Sequence, residues 1–207
     1  MVLQVERCVK SGNNLRQIRP VLLQWINVLN RYVEAYEGDC PWWYTERAVL
    51  SSFAAAAWLS DGIALEEYST FKGKKSEKYR GRCDLFFSFG DHSFACEAKP
   101  AWCAIGRRAK SGCERVKSKL AAACAAALKL GSDEADRLLG LCFAMPWLPS
   151  ADEDFIEEQI KEWLKKLISE VRYDSIAWMF PFPEKTRCLK GSDENFYPGV
   201  ALLIKAL

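Results

Sequence analysis

The sequence predicts an α/β fold in which a mixed central sheet is flanked by helices. Apolar residues recur every three or four positions near residues 15–37 and 153–171, which is typical of helices that pack one face on a core. Aromatic-rich segments with a period of two indicate half-buried strands between them. With 207 residues the chain is expected to form one domain, because that length can bury a substantial core.

The elements are expected in the order helix, helix, strand, strand, strand, helix, strand, helix, strand, strand. Pro41 suits the first turn of the second helix. The alanine-rich run at 120–128 should let the third helix approach the sheet closely. Pro100 is expected to end strand pairing in the central hairpin, and Pro146 and Pro149 to end a later strand. The predicted helices cover about residues 15–37, 41–60, 105–130 and 153–171, and the predicted strands outside the hairpin cover about 63–71, 137–147, 174–182 and 199–207.

Residues 80–100 predict two antiparallel strands joined by a tight turn. Gly90 and Asp91 form a two-residue hairpin signal between the two aromatic-rich strands. Phe89 and His92 would then flank the turn as a pair. That pair fixes the register of every other residue in the hairpin.

The register places Asp84 opposite Glu97, and Arg82 opposite Lys99. Side chains directly opposite each other have Cβ atoms about 4.5–5.5 Å apart. Lys99 shares the face of Glu97 because it follows that residue by two positions. Two carboxylates and an ammonium group are therefore expected to converge on one side of the hairpin.

Two like charges that face each other across a sheet destabilise it unless a cation or a proton lies between them. Hard oxygen ligands at this spacing suit Mg²⁺ or Mn²⁺. A neighbouring lysine can orient a metal-bound water or neutralise charge that develops on a phosphoryl group. The alternative is an ordinary solvated cluster of Asp84, Glu97 and Lys99, which apolar neighbours such as Phe86 and Ala98 disfavour.

Asp84 followed by Glu97-Ala98-Lys99 resembles the D…ExK core of the PD-(D/E)XK nuclease superfamily. The predicted α-β-β-β-α-β series around these residues, at about 42–147, matches the arrangement of that superfamily. The resemblance implies a restriction-endonuclease-like mixed central sheet and hydrolysis of phosphodiester bonds, with DNA as the expected substrate. The sequence departs from the family pattern at Cys83, where a proline commonly precedes the aspartate.

The resemblance also implies a role for each residue of the site. Asp84 and Glu97 would hold Mg²⁺ or Mn²⁺ together with the backbone carbonyl of Ala98, and Lys99 would position the attacking water. Glu46, on the helix before the sheet, would complete the site; alternatively it favours the positive N-terminal end of its helix. Many nucleases of this superfamily act as dimers, so a homodimer is one option.

Basic residues on both sides of the acidic ones are candidates for contacts with nucleic-acid phosphates. The alternative for both groups is a set of solvated surface charges. Because the formal net charge is only +2, binding to nucleic acid would have to come from local patches of this kind. The candidates are Lys74, Lys75, Arg80 and Arg82 before the hairpin site, and Arg107, Arg108 and Lys110 after it.

The cysteine pattern and the hydropathy exclude several classes of protein. Nine scattered cysteines without a CxxC pair, together with one histidine, argue against structural zinc and favour a reducing, intracellular and cytoplasmic setting. No signal peptide and no apolar run of roughly 20 residues is recognised, so no membrane partner is expected. No glycine-rich phosphate loop follows a strand, which argues against a nucleotide hydrolase.

Two alternatives to a nuclease stay open. One is a catalytically inactive protein of the same fold that serves as a binding or interaction module. The other is an unrelated α/β interaction protein in which Trp42, Trp43 and Trp102 form an exposed interface. Within the single domain at 1–207, a helical part at about 14–60 and a C-terminal helix and strands at about 150–207 are expected around the nuclease-like core at about 42–147.

Overall fold

A computed structural model describes residues 5–73, 77–106, 112–131, 133–181 and 190–207. Within these residues the centre of the fold is a sheet of eight strands: β1 (Arg7–Ser11), β2 (Ile63–Lys72), β3 (Tyr79–Phe89), β4 (His92–Ala104), β5 (Arg137–Pro149), β6 (Ser175–Met179), β7 (Asn195–Phe196) and β8 (Val200–Ala206). The strand order is β1-β6-β8-β5-β4-β3-β2, and β7 pairs with the end of β5. The sheet is mixed because β4 and β5 run parallel whereas the other neighbours are antiparallel.

Helices cover both faces of this sheet. On one face Trp25 contacts Phe143 and Phe53 contacts Phe87. On the other face Val116 belongs to a second apolar cluster with strands β5, β6 and β8. The first face carries α1 (Arg19–Ala35) and α2 (Glu46–Trp58), and the second carries α3 (Cys113–Ala127) and α4 (Ile156–Glu170). The predicted α/β class with a mixed, helix-flanked sheet is confirmed at this level.

The apolar stripe that predicts α1 is the face that this helix buries. Val21, Leu22, Trp25 and Leu29 have no exposed surface, and their spacing of three or four positions brings them to one side of the helix. The indole N–H of Trp25 donates to the Ser52 hydroxyl at 2.9 Å, so α1 and α2 are also joined by a buried hydrogen bond. Together the two helices form one layer over the sheet.

Strand β4 continues past Pro100, which the sequence analysis expected to end strand pairing. Pro100 pairs in parallel register with Phe143 of β5. The backbone N–H of Ala98 points toward β3. Backbone groups two residues apart in a strand point the same way, so an N–H at position 100 would also point toward β3. Since β3 no longer pairs with β4 at this point, the proline removes no hydrogen bond from the ladder.

Other boundaries differ from the predictions as well. The strands on either side of the basic segment are longer than the predicted ones at about 63–71 and 80–100, since β2 extends to Lys72 and β3 begins at Tyr79. The third helix begins at Cys113 within the described residues rather than near 105. Strand β5 runs through Pro146 and ends at Pro149. Strands β1 and β7 were not predicted, because short strands without clear periodicity depend on their partners in the sheet.

None of the helices in the described segments is long and apolar enough to cross a membrane. Eight of the nine cysteines fall within the described residues, and all eight are free thiols.

Candidate active site at the β3–β4 hairpin

The β3–β4 hairpin has the register that its turn predicts. Gly90 adopts a φ of 57°, a value that favours glycine in tight hairpin turns. Phe89 pairs with His92, and the ladder continues without a shift to Leu85 and Cys96. The prediction made from the Gly-Asp turn is therefore confirmed for five consecutive pairs.

The ladder ends one pair before the acidic residues. Over the hairpin, all of which is described, the expected pairs Asp84–Glu97 and Arg82–Lys99 do not form. Beyond Leu85 the strand β3 pairs with β2 alone, while β4 continues along β5. These two predicted pairs are wrong, because the register set by the turn holds only as far as the point where the two strands separate.

Asp84 lies in this opening of the sheet and replaces the missing ladder bond with its side chain. Its Oδ2 accepts a hydrogen bond of 2.8 Å from the backbone N–H of Ala98. On the other side of β3, Glu67 of β2 has no partner in the β2–β3 register, and its φ is 53°. A positive φ is uncommon for glutamate and is found where a site holds the backbone in a strained form.

Lys99 brings the oxygens of three residues together. Its ammonium group donates to the carbonyl of Ala98 and lies 3.7 Å from Oδ2 of Asp84 and 3.8 Å from Oε1 of Glu46. These are the three oxygen sources that the resemblance assigns to the site besides Glu97. A positive charge thus already occupies the point on which they converge.

Glu46 is the first residue of α2 and is directed toward Lys99. Burial raises the pKa of its carboxyl group, the Lys99 ammonium opposes that rise, and the carboxylates of Asp84, Glu67 and Glu97 add to it. Its position also suits the positive end of the helix, so both roles considered for Glu46 are compatible with its placement. The helix therefore delivers a third carboxylate to the hairpin site.

Glu97 is the most buried acid of the site, and it pairs with a lysine of β2 rather than with Lys99. Only 4 % of its side-chain surface is exposed, and Lys72 at the end of β2 donates to its Oε1 at 2.5 Å. Burial raises the pKa of Glu97; the hydrogen bond from Lys72 opposes this, and the Asp84 carboxylate reinforces it. The strand predicted at about 63–71 stops short of Lys72, so this contact was missed.

Helix α3 supports the strand behind Glu97. Glu97 pairs in register with Gly140 of β5, where a Cβ atom would come within 2.5 Å of Sγ and 2.8 Å of the backbone nitrogen of Cys124. The position therefore requires glycine for the close approach of the helix. This agrees with the expectation that the alanine-rich run of α3 lies tightly on the sheet.

The structure describes two of the seven candidate phosphate-binding residues. Arg80 and Arg82 are exposed on β3, and Nε of Arg82 lies 3.4 Å from Oε2 of Glu67. The remaining five candidates lie outside the described residues: Lys74, Lys75, Arg107, Arg108 and Lys110.

The three tryptophans proposed as an interface do not form an exposed patch. Trp42 has no exposed surface, and its indole N–H donates to the carbonyl of Tyr197 at 2.8 Å. Trp43 and Trp102 are half-buried and meet the Tyr197 ring edge to face. These residues stabilise the C-terminal segment, and Asp84 and Glu97 lie on neighbouring strands; both observations weaken the interaction-protein alternative.

The donor chemistry of the site fits a hard divalent cation. Carboxylates and a backbone carbonyl are the oxygen ligands that Mg²⁺ takes from proteins. As they stand, the described residues contain no set of three His, Cys, Asp or Glu side chains arranged to hold a metal ion. Lys72 and Lys99 hold the oxygens of Glu97, Asp84 and Glu46 instead, so binding an ion requires these ammonium groups to move away.

Comparisons with protein-family models, with curated proteins and with solved structures gave no match to this chain.

Proposed function

We propose that this protein is a metal-dependent nuclease with a restriction-endonuclease-like fold that hydrolyses phosphodiester bonds in DNA. The proposal is supported by Asp84 and the Glu97-Ala98-Lys99 segment, which lie on neighbouring strands at the point where these strands separate. In this opening the Asp84 carboxylate, rather than a backbone carbonyl of β3, accepts the hydrogen bond from the Ala98 N–H.

The observation that carries the proposal is the surroundings of the Lys99 ammonium group. Asp84, Glu46 and the carbonyl of Ala98 all direct oxygens to it, although they come from three different elements. Such convergence of negative charge is costly without a cation, and the Lys99 ammonium group supplies one in this structure. A site that transfers a phosphoryl group needs both the oxygens and the lysine.

Asp84, Glu97, the Ala98 carbonyl and Glu46 would hold Mg²⁺ or Mn²⁺. When bound, such an ion supplies charge neutralisation at the phosphate and a more acidic water. Lys99 orients the attacking water and donates to the phosphate oxygen that gains charge. Arg80 is exposed on β3, four residues before Asp84, and would contact a neighbouring phosphate.

The test is cleavage of supercoiled plasmid in Mg²⁺ by the wild type and by Asp84→Ala and Lys99→Ala. We expect each substitution to lower the rate by about a hundredfold or more, because each removes a group that acts on the developing charge. Asp91→Ala and Lys161→Ala are matched controls at exposed positions, and they should cleave like the wild type. Equal cleavage by all five proteins would refute the proposal.

A second candidate is a catalytically inactive binding module of the same fold, which is favoured by the Lys72–Glu97 contact. A buried ammonium already satisfies Glu97, so the acid does not need a metal ion for its stability. Calorimetric titration with Mn²⁺ separates the candidates. Binding that Glu97→Gln weakens supports the nuclease, and no binding by the wild type supports the module.

A further inference from the structure

A second charged site lies at the opposite edge of the sheet. It is a pocket of about 690 Å³ between the end of β1, the 3₁₀ segment Asn13–Ile18 and the residues before β6. Lys10, Arg16 and Arg19 line it, together with Tyr173 and Asp174. Three cations and one acid therefore surround a single cavity.

The acid of this pocket is already neutralised. Lys205 lies 3.1 Å from the carboxylate of Asp174, and the backbone N–H of Ala206 donates to the same group at 2.9 Å. The three basic side chains have no such partner, since no carboxylate of the described residues lies within salt-bridge distance of them. The net charge available to a ligand in the pocket is therefore positive.

Two of the three positive groups, Lys10 and Arg19, act on one region. Lys10 lies 5.6 Å from the centre of the Trp178 ring, which holds its ammonium group at the edge of the sheet. Lys10 and Arg19 both lower the pKa of the Cys8 thiol, against the larger rise caused by burial. Their fields thus overlap at Cys8, the neighbour in β1 of the pocket-lining residue Val9, and the half-buried ring of Tyr173 adds an apolar surface to the pocket.

We infer that this pocket binds a phosphate group. Two arginines and a lysine supply several charge-assisted donors, and the planar guanidinium fork matches phosphate oxygens. Tyr173 provides a ring on which a base can stack. Two kinds of ligand carry such a phosphate group. One is a free nucleotide or phosphate ion, and the other is the backbone of a nucleic acid strand.

The pocket is separate from the hairpin site and does not depend on the proposed nuclease activity. Ser11 at the pocket and Ala98 at the hairpin site are four strand spacings of about 4.8 Å apart, which is a distance of roughly 19 Å across the sheet. On a nucleic acid strand that is about six nucleotides at 3.4 Å each. The connecting register pairs are Ser11–Ser175, Ser175–Ile204, Ile204–Leu141 and Leu141–Ala98.

The test measures binding in EDTA, so that no metal-dependent cleavage takes place. The probes are inorganic phosphate, deoxyadenosine monophosphate and a fluorescent single-stranded 15-nucleotide DNA. We expect Arg16→Gln/Arg19→Gln to weaken binding of the occupant at least tenfold. The control Lys161→Gln/Lys165→Gln removes the same charge from exposed positions of α4 and should stay within twofold. Arg16→Lys/Arg19→Lys should restore part of the affinity.

The pattern of binding identifies the source of the phosphate. If DNA is the occupant, Arg16→Gln/Arg19→Gln also makes the fall of log affinity with log salt concentration less steep. The slope should shrink in magnitude by about 1.4, since each single-strand phosphate contact contributes about 0.7. If phosphate or the mononucleotide binds and DNA does not, the occupant is a free ligand. Equal losses in both double variants, or no binding of any probe by the wild type, would overturn the inference.

Discussion

Replacing Lys72 with methionine should destabilise the protein in a manner that depends on Glu97 and on pH. Methionine keeps the length and the apolar stem of lysine, so the packing changes little while the ammonium group is lost. Glu97 then keeps a buried carboxyl group without its hydrogen-bond donor. The remaining lysine of the site, Lys99, lowers the pKa of Glu97 less than Lys72 does.

The size of the effect follows from the burial of the pair. Loss of one partner of a buried ion pair costs about 3–5 kcal/mol, and we expect about 3 kcal/mol here because 12 % of the Lys72 side chain is exposed. Glu97→Gln removes the charge that Lys72 satisfies, so the two substitutions should couple by about 2 kcal/mol in a double-mutant cycle.

The pH dependence has a definite sign. The folded-state pKa of Glu97 lies above its unfolded value of 4.5, so its contribution to stability is fully present below 4.5 and is lost as the pH rises through the folded-state pKa. Removal of Lys72 raises the folded-state pKa further. The loss of stability in Lys72→Met should therefore be larger at about pH 7.5 than at about pH 4.

Urea unfolding of four proteins at both pH values measures this: the wild type, Lys72→Met, Glu97→Gln and the double variant. Lys161→Met, at an exposed position of α4, serves as the control and should change stability by less than about 0.5 kcal/mol. A loss in Lys72→Met that is equal at both pH values and unaffected by Glu97→Gln would refute the reasoning.

Three further predictions concern single hydrogen bonds and packing contacts. Asp84→Ala should lose about 1–3 kcal/mol in urea unfolding because the buried N–H of Ala98 loses its acceptor, whereas Asp84→Asn keeps an oxygen and should lose less; equal losses would contradict the role of this bond. Trp42→Phe should lower the free energy of unfolding, followed by thermal melting, by about 1–3 kcal/mol. This loss should exceed that of Trp43→Phe, because of the two only Trp42 is fully buried and hydrogen-bonded through its indole N–H. Gly140→Ala should cost about 1–3 kcal/mol and shift α3 in a crystal structure, and an unchanged melting temperature would argue against the tight contact.

The features that could be predicted from the sequence are those with local causes. The turn at Gly90 sets the hairpin register within a few residues of itself, and that register is observed as far as Leu85 and Cys96. The apolar stripe of α1 likewise predicts the face that the helix buries, including Trp25. In both cases the determining residues are neighbours in the sequence or repeat along one element.

The features that were missed depend on contacts between distant segments. Lys72 meets Glu97, 25 residues later, across β3: the two residues lie on strands β2 and β4, and beyond Leu85 β3 no longer pairs with β4. Pro100 fits inside β4 for the same reason, since that opening frees one side of the strand. A sequence pattern records the composition of each strand but not the residue at which two strands separate.

The most direct test of the central claim, that the hairpin site binds a catalytic divalent ion, is the anomalous difference map of a crystal soaked in Mn²⁺. We predict one peak bound by oxygens of Asp84 and Glu97, with Lys72 moved away from Glu97. A peak at other residues, or no peak at this site while Asp84 and Glu97 keep their lysine partners, would contradict the account.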